Sequence, residues 1–435
     1  MLTKTFSQER VIQISIFALL VLLVALLPQL RVLQGNPLIF SEETYGLYNS
    51  VFSPTSFFEY IFSYVYSSSF VLVLLPILFA VLSLFFIFLL LKTDNSFNLK
   101  MIITGVVVSL TPAFLYAHLS LSLSSILLLV SLASVFFFLK KSFWQVPFLT
   151  LLFLLDFISG LILTILFFFY AQFVERKKVW CLFFPVTIST VLLFLFFPQS
   201  FFSSSFFSLS PDTMFSFFGA LSGFTLFLLV LGGAGLVYYL LSSQRVHFFL
   251  LAFVLISFVY FPLRLLGIVI LAGYSAVLFL KLLTYSFSNE FVGQLSLFLI
   301  VCVFLFSTVW FVNSVVDMEP SREYIQGMDS IFYNDSLSIL VHEDLVEFVT
   351  YQTGMETFSG DDQADFSAFI LYRSYSQFQE LLESESIGYV VIDRFVLNEI
   401  QLHEGILFLM DNNRNFQRVF AGDTLFIYRY LPAFS

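Results

Sequence analysis

Two adjacent carboxylates, a late arginine, a lone aspartate and a histidine are the residues of this sequence best placed to do chemistry. Glu42 and Glu43 follow Gly35-Asn36-Pro37-Leu38-Ile39-Phe40-Ser41 and precede Thr44-Tyr45, shortly past the first apolar run. A carboxylate pressed against a membrane surface can act as a general base or hold a divalent cation; the alternative is a solvated pair in a polar loop. Arg264 stands in Tyr260-Phe261-Pro262-Leu263-Arg264-Leu265-Leu266, at the mouth of an apolar run. A guanidinium at that depth either snorkels as an interfacial anchor or pairs, and a lipid phosphate is a natural bidentate partner. Asp156 interrupts apolar sequence. It points to a cavity or partner, or it caps a half-helix beginning Phe157-Ile158-Ser159. His118, in Tyr116-Ala117-His118-Leu119, falls in a tight turn between two apolar runs, where it is solvated or supports chemistry in the Glu43 loop.

Other candidates are weaker. Asp361, Asp362 and Asp365 form either a Ca²⁺ loop or a solvated acidic one, and Asn334-Asp335-Ser336 is a possible glycan acceptor. Cys181 and Cys302 lie inside apolar runs, which argues against a disulfide framework or a zinc cluster, and His118, His247, His342 and His403 show no metal-ligand spacing. Gly354, Gly360, Gly388 and Gly405 are isolated, so no phosphate-cradling loop is expected.

The elements that must position these residues belong to a membrane. The 435 residues are 59% hydrophobic and 11% charged, too few polar side chains to coat a water-soluble fold. Runs long enough for the hydrocarbon core lie near 11–28, 69–91, 101–117, 121–139, 179–197, 217–240, 246–261, 264–284 and 291–312. The stretch 145–171 is broken by Asp156 and Gly160 and reads as two shorter helices, in and back. The first run lacks a small-residue cleavage site after it and reads as a retained helix. Lys and Arg in the short loops set the orientation: 11 fall on the side of the N-terminus, and only Arg31 and Arg264 on the other. The N-terminus is therefore predicted cytoplasmic, and everything after 313 outside a cell membrane. Residues 52–66 and the loop 198–214 suit headgroup depth.

Charge divides the chain in two. Residues 317–435 hold 20 acidic side chains against 6 Arg and no Lys, whereas residues 1–316 carry a net charge of +4. The acidic tail argues against a nucleic-acid partner. Its alternating signals predict strands at 338–342 and 389–393, helices at 343–352, 376–384 and 404–412, and a hairpin of 416–420 with 425–430, together a small α/β sandwich.

Several of these stretches, taken in order, resemble the GT-C membrane glycosyltransferases that take sugars from polyprenyl-phosphate carriers, especially archaeal relatives of the oligosaccharyltransferases. Pro37–Tyr45 is similar to the segment after the family's first helix. Thr111-Pro112-Ala113-Phe114-Leu115-Tyr116 and the following helix ending in Lys140-Lys141 are similar to its third and fourth helices. Arg264–Ala276 resembles its late helix with an outer Arg, and Ile387–Asp393 with Phe416–Tyr428 resembles its small outer domain. The resemblance implies that Glu43, or else Glu42, is the catalytic or metal-positioning carboxylate, and that Arg264 contacts the lipid-linked phosphate. His118 and Asp156 would support them. It also implies a polyprenyl-phosphate sugar donor, membrane lipids as partners and a divalent cation (Mg or Mn) as possible cofactor, with the acceptor left open. Two departures count against transfer to an Asn sequon. The turn before the fourth helix holds His118 and serines instead of acidic residues, and no Trp-Trp-Asp opens the tail, the nearest tryptophan being Trp310.

The expected architecture is a polytopic α-helical membrane protein of about 10–11 spans, GT-C-like over 1–316, with a C-terminal extracytoplasmic α/β domain over 317–435. The expected activity is sugar transfer at the outer surface. The alternatives are a non-catalytic scaffold or accessory subunit with a partner-binding outer domain, and a lipid or solute transporter; the latter predicts midplane charges and inverted repeats that are not evident.

Overall fold

The computed structural model describes residues 2–33, 36, 69–91, 99–119, 121–172, 183–196, 223–241, 245–284, 290–316, 320–332, 337–342, 345–359, 375–393, 396–397 and 410–431. They group into two compact units, Met1–Leu30 with Ser53–Val316 and Arg31–Phe52 with Asp317–Ser435.

The first unit is helical. Its elements are α1 (Leu2–Leu33), α2 (Ser69–Leu91), α3 (Leu99–Ser109), α4 (Pro112–Ala117), α5 (Leu123–Leu139), α6 (Gln145–Leu155), α7 (Phe157–Tyr170), α8 (Phe183–Phe196), α9 (Leu226–Leu240), α10 (Arg245–Val259), α11 (Arg264–Thr284) and α12 (Glu290–Val316). Three windows among the described residues, Leu74–Leu91, Phe261–Thr284 and Gly293–Val312, are long and apolar enough to cross a membrane alone; shorter apolar helices accompany them.

Three predicted runs are shorter or broken, each for a local reason. The run 101–117 breaks at Leu110–Thr111, because Pro112 has no N–H to give the Val108 carbonyl. The Thr111 hydroxyl (2.7 Å) and backbone N–H (3.0 Å) serve that carbonyl instead. Thr308 of α12 donates to the neighbouring Leu110 carbonyl at 3.0 Å. In the run 217–240 the described part starts at residue 223, and its helix begins at Leu226, where Thr225 accepts the Leu228 N–H at 3.3 Å. The stretch 145–171 divides at Asp156 as expected. A Cβ on Gly160 would lie 2.9 Å from the Phe153 Cα, whereas residues seven apart in one helix are separated by about 10 Å, so the chain folds back here.

Small residues bring helices together. α9 and α11 pack along their lengths. A Cβ on Gly235 would lie 2.5 Å from the Tyr274 carbonyl oxygen, and one on Gly232 2.8 Å from that of Leu271. Two backbones this close gain dispersion contacts that lipid tails cannot supply, which is how helices associate in hydrocarbon.

The tail of the second unit contains α13 (Arg322–Met328), β1 (Ser338–Leu340), α14 (Val346–Thr353), β2 (Thr357–Phe358), α15 (Tyr375–Ser384), β3 (Ile387–Ile392), β4 (Phe416–Ala421) and β5 (Phe426–Tyr430). The sheet order is β2-β1-β3-β5-β4, with β1 parallel to both β2 and β3, and β5 antiparallel to both β3 and β4. β3 is buried along its whole length. Period-two alternation sends Leu340, Val390, Ile392 and Tyr428 to one face with Phe378 and Leu382 of α15. It sends Ile339, Tyr389, Val391 and Ile427 to the other, with Tyr324 of α13 and Phe348 of α14. The predicted α/β sandwich and hairpin are both present, while β2 and α13 had no expectation in the sequence. The predicted helix 404–412 lies mostly outside the described residues, which include only its end.

Glu323 fixes the hairpin turn: its carboxylate accepts from the backbone N–H groups of Thr424 (2.9 Å) and Leu425 (3.1 Å) and from the Thr424 hydroxyl (2.9 Å). The Asn36 side-chain oxygen accepts the Arg322 N–H at 3.0 Å, satisfying an orphan donor in the first turn of α13.

The glycine contact between α9 and α11 is testable. Gly235→Leu forces side-chain atoms into the Tyr274 backbone and is expected to cost about 2 kcal/mol or more, whereas a Cβ on Gly233 meets nothing within 4 Å. Thermal melting of the detergent-purified protein should drop clearly for Gly235→Leu and little for Gly233→Leu; equal melting would refute the close approach.

Candidate functional site at one end of the helical unit

The break at Asp156 and the turn before Arg264 build one polar cluster from distant parts of the chain. Asp156 has extended backbone (φ −153°, ψ 107°), closing α6 and opening α7. Its Oδ2 accepts the Ser159 N–H at 3.0 Å, the N-cap bond expected from the sequence. The same oxygen accepts the Tyr260 hydroxyl at 2.6 Å across 104 residues. Asp156 is therefore cap and partner at once. The α7 dipole and a charge-assisted hydrogen bond hold the carboxylate in one place.

Tyr260 is wholly buried and ends α10 in extended conformation. The 3₁₀ turn Phe261–Leu263, started by Pro262, then reverses the chain into α11, whose first residue is Arg264. Arg264 is 1% exposed, so it is not an arginine snorkelling to water. Its guanidinium carbon lies 4.9 Å from the centre of the Phe261 ring, a cation–π contact that helps hold a charge inside an apolar bundle. The Asp156–Tyr260 bond thus ties the head of α7 to the turn that aims Arg264.

His118 caps α4 at the same end, reached because α3 runs beside α11. The sequence favoured a solvated imidazole, but the ring is fully buried. It lies 4.2 Å from the Phe114 ring centre, and Nδ1 is 2.8 Å from the Phe114 carbonyl. That carbonyl accepts a hydrogen bond from Nδ1–H, which leaves Nε2 as an acceptor; Nε2 is buried with no hydrogen-bond partner among the described residues. Burial pushes the imidazole down to about 4, so His118 is neutral at physiological pH.

The structure thus brings Asp156 and the Arg264 turn together through Tyr260, and puts His118 at the same end. Glu42 and Glu43 lie outside the described residues. So do Asp361, Asp362, Asp365 and the Asn334 sequon. Among the described residues no three His, Cys, Asp or Glu side chains come together as a metal site. Tyr260 was missed as a functional residue. Its only sequence signal was its place beside Pro262 and Arg264, and nothing local names a partner 104 residues away.

Two measurements follow. Tyr260→Phe keeps the ring and removes the bond to Asp156; a loss of about 1.5–3 kcal/mol is expected for a buried charge-assisted hydrogen bond, and unchanged melting would show that the contact carries no stability. For His118, the unfolded chain binds a proton near the ordinary value of 6.5 while the folded chain refuses it until about 4. Stability is therefore full above that upper value and falls on acidification through this window, by about 1.4 kcal/mol per pH unit. His118→Asn should flatten this part of the pH–melting curve, and an equally steep curve in the variant would contradict the assignment.

No family model matches the chain, and no curated protein matches it by sequence. Solved structures do match. ArnT from Cupriavidus metallidurans bound to undecaprenyl phosphate aligns over 97% of this chain and 98% of its own, with 11% identity and a TM-score of 0.62. The Archaeoglobus fulgidus oligosaccharyltransferase in its apo form aligns over 87% and 69%, with 14% identity and a TM-score of 0.56. The archaeal oligosaccharyltransferase AglB from the same organism, in complex with an inhibitory peptide and a dolichol-phosphate, aligns over 89% and 70%, with 12% identity and a TM-score of 0.54. Identities this low establish the fold and no more. The chain has the GT-C fold of these membrane glycosyltransferases.

Proposed function

We propose that this protein is a membrane glycosyltransferase that moves a single sugar from a polyprenyl-phosphate-linked donor to an acceptor at the outer face of a cell membrane. The observation that carries the reading is the match to ArnT, a protein solved with undecaprenyl phosphate, over nearly the full length of both chains. The oligosaccharyltransferase matches cover less of those proteins. The missing Trp-Trp-Asp and the absence of acidic residues from the His118 turn further favour a single-sugar transferase over transfer to a sequon.

In this reading Glu43, with Glu42 as the alternative, takes the proton from an acceptor hydroxyl. The acceptor oxygen bonds to the anomeric carbon as the bond from that carbon to the phosphate oxygen breaks, and the lipid phosphate leaves with the electron pair. Arg264 balances the charge gathering on that phosphate, where a preorganised donor in a dry site acts most strongly. Asp156 and Tyr260 hold the turn that aims Arg264. Asn36, bonded to Arg322, anchors the start of the segment that leads to the two glutamates. A divalent cation on Glu43 belongs to the same proposal; among the described residues no three His, Cys, Asp or Glu come together as its ligands. The N-terminus would then be cytoplasmic and the acidic domain 317–435 outside.

Radiolabelled polyprenyl-phosphate sugars incubated with the purified protein test the proposal. Glu43→Ala should abolish transfer, and Arg264→Ala should slow it by about 100-fold or more. Full activity in Glu43→Ala would overturn the site assignment, and no turnover with any donor would favour an accessory subunit.

A further inference from the structure

The helical unit contains a cavity of about 490 Å³ that the reaction above does not use. It is walled by residues of α2, α3, α5, α7, α9, α10 and α11, and nearly all of its lining is aliphatic or aromatic. Its volume falls within the range of small-molecule sites, roughly 300–1,000 Å³. A recess with so apolar a lining offers water few partners and an apolar chain many dispersion contacts, so an apolar occupant is favoured.

One part of the wall differs. Lys100 at the start of α3, Tyr239 near the end of α9, His247 near the start of α10 and Tyr274 in α11 all line the cavity. The His247 Nδ1 and the Tyr274 hydroxyl are 2.6 Å apart. Lys281 stands beside them, its ammonium 3.6 Å from the Tyr238 ring centre and 5.9 Å from that of Tyr239. Among the described residues no Asp or Glu lines the cavity. A lysine, an imidazole and phenol hydroxyls at one end of a greasy chamber form a head-and-tail site with positive polarity. Its polar end lies away from the candidate site, since Tyr274 follows Arg264 by ten residues on the same helix, about 15 Å along its axis, while the apolar part of the cavity reaches Leu266.

We infer that this cavity is a second lipid site, which binds a single-chain amphiphile with an anionic phosphate head against Lys100, His247 and Tyr274 and its apolar chain against Val269 and Ile270. The inference concerns the Lys100, His247 and Tyr274 end of the cavity, so it does not depend on sugar transfer at Arg264.

Gly273 gives the test. It lines the cavity, and a Cβ there meets nothing within 4 Å, so Gly273→Leu fills the chamber without striking backbone. The purified full-length protein would be titrated with hexadecyl phosphate, hexadecanol and inorganic phosphate, with melting temperature and direct binding as readouts. Hexadecyl phosphate should bind and raise the melting temperature, hexadecanol should bind about tenfold or more weakly, and inorganic phosphate should not bind. That factor corresponds to one charge-assisted contact. Gly273→Leu should lose hexadecyl phosphate binding, and Lys100→Ala should reduce it to the hexadecanol level. Equal binding of alcohol and phosphate would overturn the head site, binding of inorganic phosphate alone would overturn the lipid, and undiminished binding in Gly273→Leu would overturn the cavity. A diazirine-bearing alkyl phosphate crosslinked to the wild-type protein keeps the test independent of variant folding. Adducts on Val269, Ile270 or Leu166 support the site, and adducts only on outward residues such as Phe298 and Phe306 refute it.

Discussion

Wherever a helix ends or breaks inside an apolar medium, its freed N–H and C=O groups must find partners within the protein, because no water is there to serve them. The helical unit meets this requirement at one interruption after another, and those interruptions place its polar residues. Pro112 strips the Val108 carbonyl of its helical donor, and Thr111 replaces it. Asp156 and Thr225 each cap the helix that follows. Ser122 does the same for α5, accepting the Ser125 N–H at 3.2 Å. A residue recruited to cap a helix can serve a second partner, as Asp156 does with Tyr260.

This has a consequence for function. A buried arginine is tolerated only where its surroundings are fixed, and the turn that starts α11 is fixed by the proline at 262, the Phe261 ring and the Tyr260–Asp156 bond. The same chain segment thus satisfies a structural need and aims a cation. The opposite half of α11 shows the complementary arrangement. There the helix meets α9 backbone to backbone at Gly232 and Gly235, yet Gly273 borders open space, so contact and void alternate around one helix. The tail follows the rules of a water-soluble domain instead: a mixed sheet with helices on both faces and a glutamate holding its hairpin turn.

Much of the fold was legible in the residues. Hydrophobic run length marked α2 and α11 with the bounds the structure gives, and Asp156 followed by Ser159 marked the break and its cap. Alternation marked β3 and the β4–β5 hairpin. The candidate site was legible only as a set of residue types. The sequence offered His118 as solvated, because a histidine in a turn ordinarily is, but the ring is buried against Phe114. It gave His247 no role, since the tyrosine it meets is 27 residues away on another helix.

The sequence by itself determined the solvent, the contrast in charge between residues 1–316 and 317–435, and the places where helices must stop, because run length, charge and the chemistry of Pro, Thr and Asp are local properties. Only the tertiary structure decided that Asp156 meets Tyr260, that Arg264 is enclosed instead of snorkelling, and that Lys100, His247 and Tyr274 share one chamber. Each of these depends on which helix packs beside which. Steric fit between whole helices sets that choice, and apolar helices are too alike in composition for any single segment to announce its neighbour.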